Sequence, residues 1–89
     1  MRLTILDGRM MYTRQAAHTY LAKELQLPDY YGRNLDALAD CLSEMSPDDY
    51  ILLQHAEDLT DRLREYGDRM LDVFTDACAA GGPTVIVLY

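Results

Sequence analysis

The chain has 89 residues with 8 basic and 15 acidic side chains, a net charge of −7, and is 49% hydrophobic and 26% charged. That length supports one small core, and the balance of residues is that of a globular chain rather than a disordered one. Without a basic stripe, the charge balance argues against direct binding to nucleic-acid phosphates or to anionic membrane surfaces.

No apolar run approaches the roughly 18 residues of a membrane span, and the N-terminus lacks the apolar core of a signal peptide. One domain over residues 1–89, located in the cytoplasm, is the expectation. Cys41 and Cys78 are far apart and each falls in a helical apolar pattern. They read as two buried thiols in a reducing compartment.

In chain order, Leu3-Thr4-Ile5-Leu6 is a short apolar run ending at the turn signal Asp7-Gly8 and reads as a strand. Thr13 is placed to cap a helix carrying Ala17, Leu21 and Leu25 at i, i+4 and i+8, with Tyr20 adjacent, that ends before Pro28. His18 lies on this helix among no other ligand-type residues and reads as a surface or half-buried side chain without chemistry.

The stretch Asp29 to Met45, DYYGRNLDALADCLSEM, follows. It opens as a loop with a Tyr30-Tyr31-Gly32 turn and becomes a helix capped by Asn34, whose side-chain oxygen suits the first unpaired N–H groups. On a wheel of about 100° per residue, Leu35, Leu38 and Leu42 share one side, with Ala39 and Met45 at its edges. Asp36, Asp40 and Glu44 stack on another side. Such a column costs about 0.2–0.5 kcal/mol for each like-charged pair, of which Asp36 recovers part from the helix dipole. Residues 29–49 hold six acids against one base, Arg33, a net −5 that makes up most of the chain's excess. Of the two tyrosines, Tyr31 is the one expected to pack beneath the loop. Gly32 reads as a turn residue supplying backbone freedom.

Ser46-Pro47-Asp48-Asp49 reads as a turn and Tyr50-Ile51-Leu52-Leu53 as a strand buried on both faces. A short helical piece from His55, with Leu59 and Leu63, reads as a solvated connector broken by Gly67. Met70, Val73, Phe74 and Ala77 then define an amphipathic helix closed by Gly81-Gly82. Thr84 to Leu88 closes the chain as another buried strand. Strands alternating with helices imply βαβ units. The expected fold is α/β, a three-stranded parallel sheet packed with about four helices in the order β-α-α-β-α-α-β.

Phosphate-cradling glycine motifs, close zinc-ligand pairs and a nucleophile beside a histidine are all missing from the sequence. Acid–base catalysis by Asp36 and Asp40 would need a dry cleft, whereas these two should be exposed. Three carboxylates along one side of a helix do not surround a cation. No enzymatic activity, metal or cofactor is expected, and protein recognition remains. Tyrosines supply rigid contact area, and carboxylates meet Arg or Lys of a basic partner.

The run Leu27-Pro28, Tyr30-Tyr31-Gly32, Asn34-Leu35-Asp36-Ala37-Leu38 and Asp40-Cys41-Leu42 resembles the barstar family, intracellular protein inhibitors of barnase-type ribonucleases. The order of elements, including Lys23-Glu24-Leu25 in the first helix, extends the likeness along the chain. The resemblance implies the family's three-stranded parallel sheet. It also implies a partner that is a basic ribonuclease, whose active site is plugged by the acidic helix and the loop before it. There a fixed carboxylate takes a phosphate's place among Arg, Lys and His. By position, Asp40 matches the family's central carboxylate, Asp36 the neighbouring acid and Tyr30 the aromatic at the edge. Asn34, Leu35 and Ser43 match flanking contacts, and Asp76 an outlying glutamate. Tyr31, Gly32, Ala39, Glu44 and Met45 complete the expected partner-binding set.

Three departures stand out. Ala39 occupies the place of a tryptophan in the best-known member, a second aromatic after the helix is Met45 or lost, and Cys78 is extra while a late cysteine near Pro83 is missing. The first two remove large contact area beside the central charge, so the ribonuclease partner could be a different one or the complex weaker. The alternative reading is a small acidic adaptor or immunity-type protein for another basic partner.

Overall fold

Strand β1 (Arg2–Asp7) alternates, with Thr4 and Leu6 buried and Leu3 and Ile5 exposed, the period-two pattern of a sheet wet on one side. The computed structural model describes residues 2–89. Strand β1 pairs in parallel with β2 (Asp49–Gln54), which pairs in parallel with β3 (Thr84–Val87), giving the sheet order β1-β2-β3. The register sets Thr4 beside Ile51 and Val85 in one row, and Ile5 beside Leu52 and Ile86 in the next. The first row faces the core. The second faces outward, where Ile5 is 51% and Ile86 50% exposed.

The expectation that the strands are buried on both faces is therefore corrected. The physical reason lies in the strand order. Right-handed crossovers are the rule for parallel strands, and two of them stepping the same way across a sheet put their helices on the same side. No reversal of strand order brings a helix to the opposite face, so the apolar pattern of β1 and β3 outlasts its cover.

The described helices are α1 (Arg14–Glu24), α2 (Leu35–Ser43), α3 (Ala56–Leu63) and α4 (Glu65–Ala79), with a 3-10 turn at Gly8–Met10. Thr13 caps α1, its hydroxyl accepting from the Ala16 N–H at 3.0 Å. Leu21, Leu38, Leu42, Ile51, Leu53, Leu59, Met70 and Phe74 are fully buried in one core between helices and sheet.

Two expectations for the second half change. Helix α3 is no solvated connector: Ala56 and Leu59 are fully buried, and α3 lies against α4 and the 3-10 turn. Its Asp61, Arg62 and Glu65 neighbours face water, and their charges mask the buried stripe. Nor does Gly67 break the chain. It sits inside α4, and the break falls at Arg64, whose φ of 57° leaves the helical region between α3 and α4. A Cβ on Gly67 would come within 2.9 Å of the Leu59 carbonyl oxygen, so glycine there permits close helix approach. Helix α4 ends as expected. Gly81, at φ 91°, donates to Cys78 O at 3.2 Å, and Gly82 donates to Ala77 O at 2.9 Å, the two bonds of a Schellman stop.

Candidate protein-binding face

The loop before α2 is held at both ends. The Tyr31 N–H donates to Pro28 O at 2.9 Å, and the Arg33 guanidinium donates to Thr19 Oγ1 on α1 at 2.6 Å. Tyr31 turns inward and is 7% exposed, while Tyr30 beside it is 87% exposed. The left-handed residue of the turn is Arg33, φ 54°, and not Gly32 as anticipated. Gly32 serves by being small: a Cβ there would sit 3.2 Å from Ala37 Cβ and 3.3 Å from Asn34 Nδ2.

Asn34 caps α2 as its sequence position indicates. Its Oδ1 accepts from the Ala37 N–H at 2.7 Å, and its Nδ2 donates to Gly32 O at 3.2 Å. One side chain thus ties the loop to the helix. Asn34→Ala is expected to lower the unfolding free energy by about 1 kcal/mol, the usual worth of such a cap. Urea unfolding with an unchanged midpoint would contradict this.

On α2, Leu38 and Leu42 are fully buried, Leu35 and Ala39 half-buried, and Asp36, Asp40 and Glu44 all exposed. The column of carboxylates stands on the outer face, with Met45 half-buried just beyond it. Ser43 closes the helix by donating to Asp40 O at 2.7 Å. Two shallow depressions flank the column. One, of about 280 Å³, lies between α2 and the loop and is lined by Tyr30, Tyr31, Gly32, Asp40, Cys41 and Glu44 among others. The other, of about 330 Å³, lies between α2 and the end of α4 and is lined by Ala39, Ser43, Val73, Asp76, Ala77 and Gly82 among others.

The fold therefore brings Asp76 to α2 from more than thirty residues away in sequence. Asn34, Leu35, Asp36 and Met45 line neither depression. Neither has a basic residue in its lining, so among the described residues nothing there neutralises Asp40, Glu44 or Asp76.

Cys41 is the residue that sequence reasoning misplaced. It and Cys78 are free and half-buried, not fully buried. The Cys41 thiol is held above its ordinary range by partial burial, and then by the neighbouring Glu44 and Asp40 carboxylates. It remains a protonated, weakly polar part of the lining. Its spacing from Ala37, four residues, is the signal that both turn toward the loop.

His18 is a second correction. It is 2% exposed, with Nδ1 2.6 Å from the Tyr31 hydroxyl and Nε2 2.6 Å from the Tyr66 hydroxyl. Burial, and secondarily the positive Arg33, holds its pKa below the ordinary histidine value. Burial likewise pushes Tyr31 well above the usual tyrosine range.

Three parallel strands in the order 1-2-3, with paired helices in each crossover, form a barstar-like α/β fold. Comparison with known families agrees: the model described as Barstar (barnase inhibitor) matches residues 1–88. The chain belongs to the barstar family. It is similar to a Bacillus subtilis (strain 168) protein named "Putative ribonuclease inhibitor YrdF", with 40% identity over 78 residues that cover 86% of each chain.

Proposed function

We propose that this protein inhibits a basic barnase-type ribonuclease in the cytoplasm, acting by binding and not by catalysis, as one domain over residues 1–89. The observation that carries the reading is the exposed column Asp36, Asp40 and Glu44 on a helix fixed to a capped loop that presents Tyr30. Family membership and the ribonuclease-inhibitor name of its relative support the same role.

An active site that grips phosphate is lined with cations. Carboxylates already fixed in place can occupy it with little loss of conformational freedom. Asp40 is the central group in this reading and Asp36 its neighbour, with Tyr30 laid against the rim. Asp76 and Ser43 extend the contact across the second depression, where Ala39 leaves room for a side chain of the partner.

Titrating a small secreted barnase-type ribonuclease with this protein, on a guanosine-containing RNA substrate, is expected to give stoichiometric inhibition. An active-site nucleotide should compete with the inhibitor. Undiminished hydrolysis at micromolar protein, or a complex indifferent to nucleotide, would reject the reading in favour of an acidic adaptor for another basic protein.

A further inference from the structure

The binding loop is anchored by a buried group that neither the acidic column nor the cap explains. His18 on α1 spans the gap between the loop and α4, with Tyr31 Oη on one ring nitrogen and Tyr66 Oη on the other, both at 2.6 Å. A neutral imidazole has one donor and one acceptor nitrogen. In this bridge it accepts a hydrogen bond from one tyrosine hydroxyl and donates one to the other. Tyr66 is in turn covered by the Arg14 guanidinium, 4.3 Å above its ring. The next residue of α1, Thr19, accepts from Arg33. Two successive positions on α1 therefore hold Tyr31 and Arg33, the residues on either side of Gly32.

We propose that His18 is a positioning residue for the ribonuclease-binding loop: its neutral ring, bridging Tyr31 and Tyr66, fixes where Tyr30 and Gly32 are presented. The inference rests on the inhibitor reading for its functional consequence, though not for the bridge itself.

The groups facing this bridge are Tyr31 and Arg33 from the loop, Arg14 from α1, Tyr66 from α4, and Cys41 from α2 next to Tyr31. Among the described residues no carboxylate pairs with His18, and the nearby charges are cationic. A second proton on the ring would be buried without compensation, and both tyrosine oxygens would then have to accept. The folded protein binds that proton less readily than the unfolded chain. The stabilisation is thus complete above pH about 6.5 and is lost as pH falls through the lower folded value.

The test uses the full-length protein and His18→Gln, which keeps a donor and an acceptor but cannot be charged. In proton–nitrogen NMR, the amides of Tyr30, Gly32 and Arg33 are expected to titrate together with the His18 ring, and to be flat with pH in the glutamine variant. Bound to a barnase-type ribonuclease, the wild type should dissociate faster relative to His18→Gln once the pH falls through the range in which the His18 ring is seen to titrate, and not above that range. Because both proteins meet the same enzyme, the ratio cancels the enzyme's own titration. Loop amides that ignore the His18 ring, or a ratio that stays constant while that ring titrates, would overturn the proposal.

If His18→Gln does not fold, Tyr66→Phe decides. It keeps the ring beneath Arg14 and should shift the loop amides and speed dissociation; unchanged amides and rates would refute the bridge. A wild type that inhibits no ribonuclease would reject the inhibitor reading alone, and the loop amides would still judge His18.

Discussion

Asp40→Ala is expected to abolish tight inhibition while leaving the fold intact. Asp40 is exposed at the middle of the column and lines the depression beside the loop, so its removal exposes no core. Its unfolding free energy should stay within about 0.5 kcal/mol of wild type. Losing a carboxylate that becomes buried against a cation costs about 2–5 kcal/mol of binding or more, a loss of about 30- to 4000-fold or greater, a generalisation drawn in part from the barstar–barnase pair itself. The association rate should also fall as salt rises, since charges are screened beyond about 8 Å at physiological ionic strength. An inhibition constant changed less than about threefold would remove Asp40 from the centre of the interface. A parallel fall in stability would mean its role is structural.

Phe74→Ala should do the opposite. Phe74 is among the largest fully buried side chains and sits on α4 in the common core. Truncating a buried phenylalanine costs about 3–5 kcal/mol, through lost transfer energy and the cavity left behind. Small domains hold only about 5–15 kcal/mol in total, so this one change removes a large share. The urea midpoint should fall by about 2 M at the slopes usual for small proteins. At low temperature, where the variant remains folded, the complex should be nearly as tight as wild type. A midpoint within about 0.3 M of wild type would show that the core closes over the gap, against the usual cost of such cavities.

Much of this was legible in the sequence because it is written in local chemistry. Thr13 and Asn34 are caps by side-chain type and position. The acidic column follows from a four-residue spacing, and Tyr31 turns inward while Tyr30 does not. What escaped depends on partners far along the chain. His18 meets tyrosines 13 and 48 residues away, and no neighbour in sequence announces them. The left-handed turns at Arg33 and Arg64 carry no glycine, so the usual punctuation is missing where the chain bends. The open side of the sheet escaped for a different reason. An apolar run states that a strand can be covered, whereas strand order decides whether a helix is available to cover it.

That strand order also governs how the molecule must assemble. Residues of β1 pair with residues 47 positions later, and those of β2 with residues 34 later, so no rung of the ladder joins near neighbours. Each pairing must first close a long loop, at an entropic cost that is met before any strand contact rewards it. Of the helices in between, α1 and α2 carry side-chain caps, and all four are held by bonds within their own turns. The search time of this small chain is therefore set by three short strands finding one another across the intervening helices.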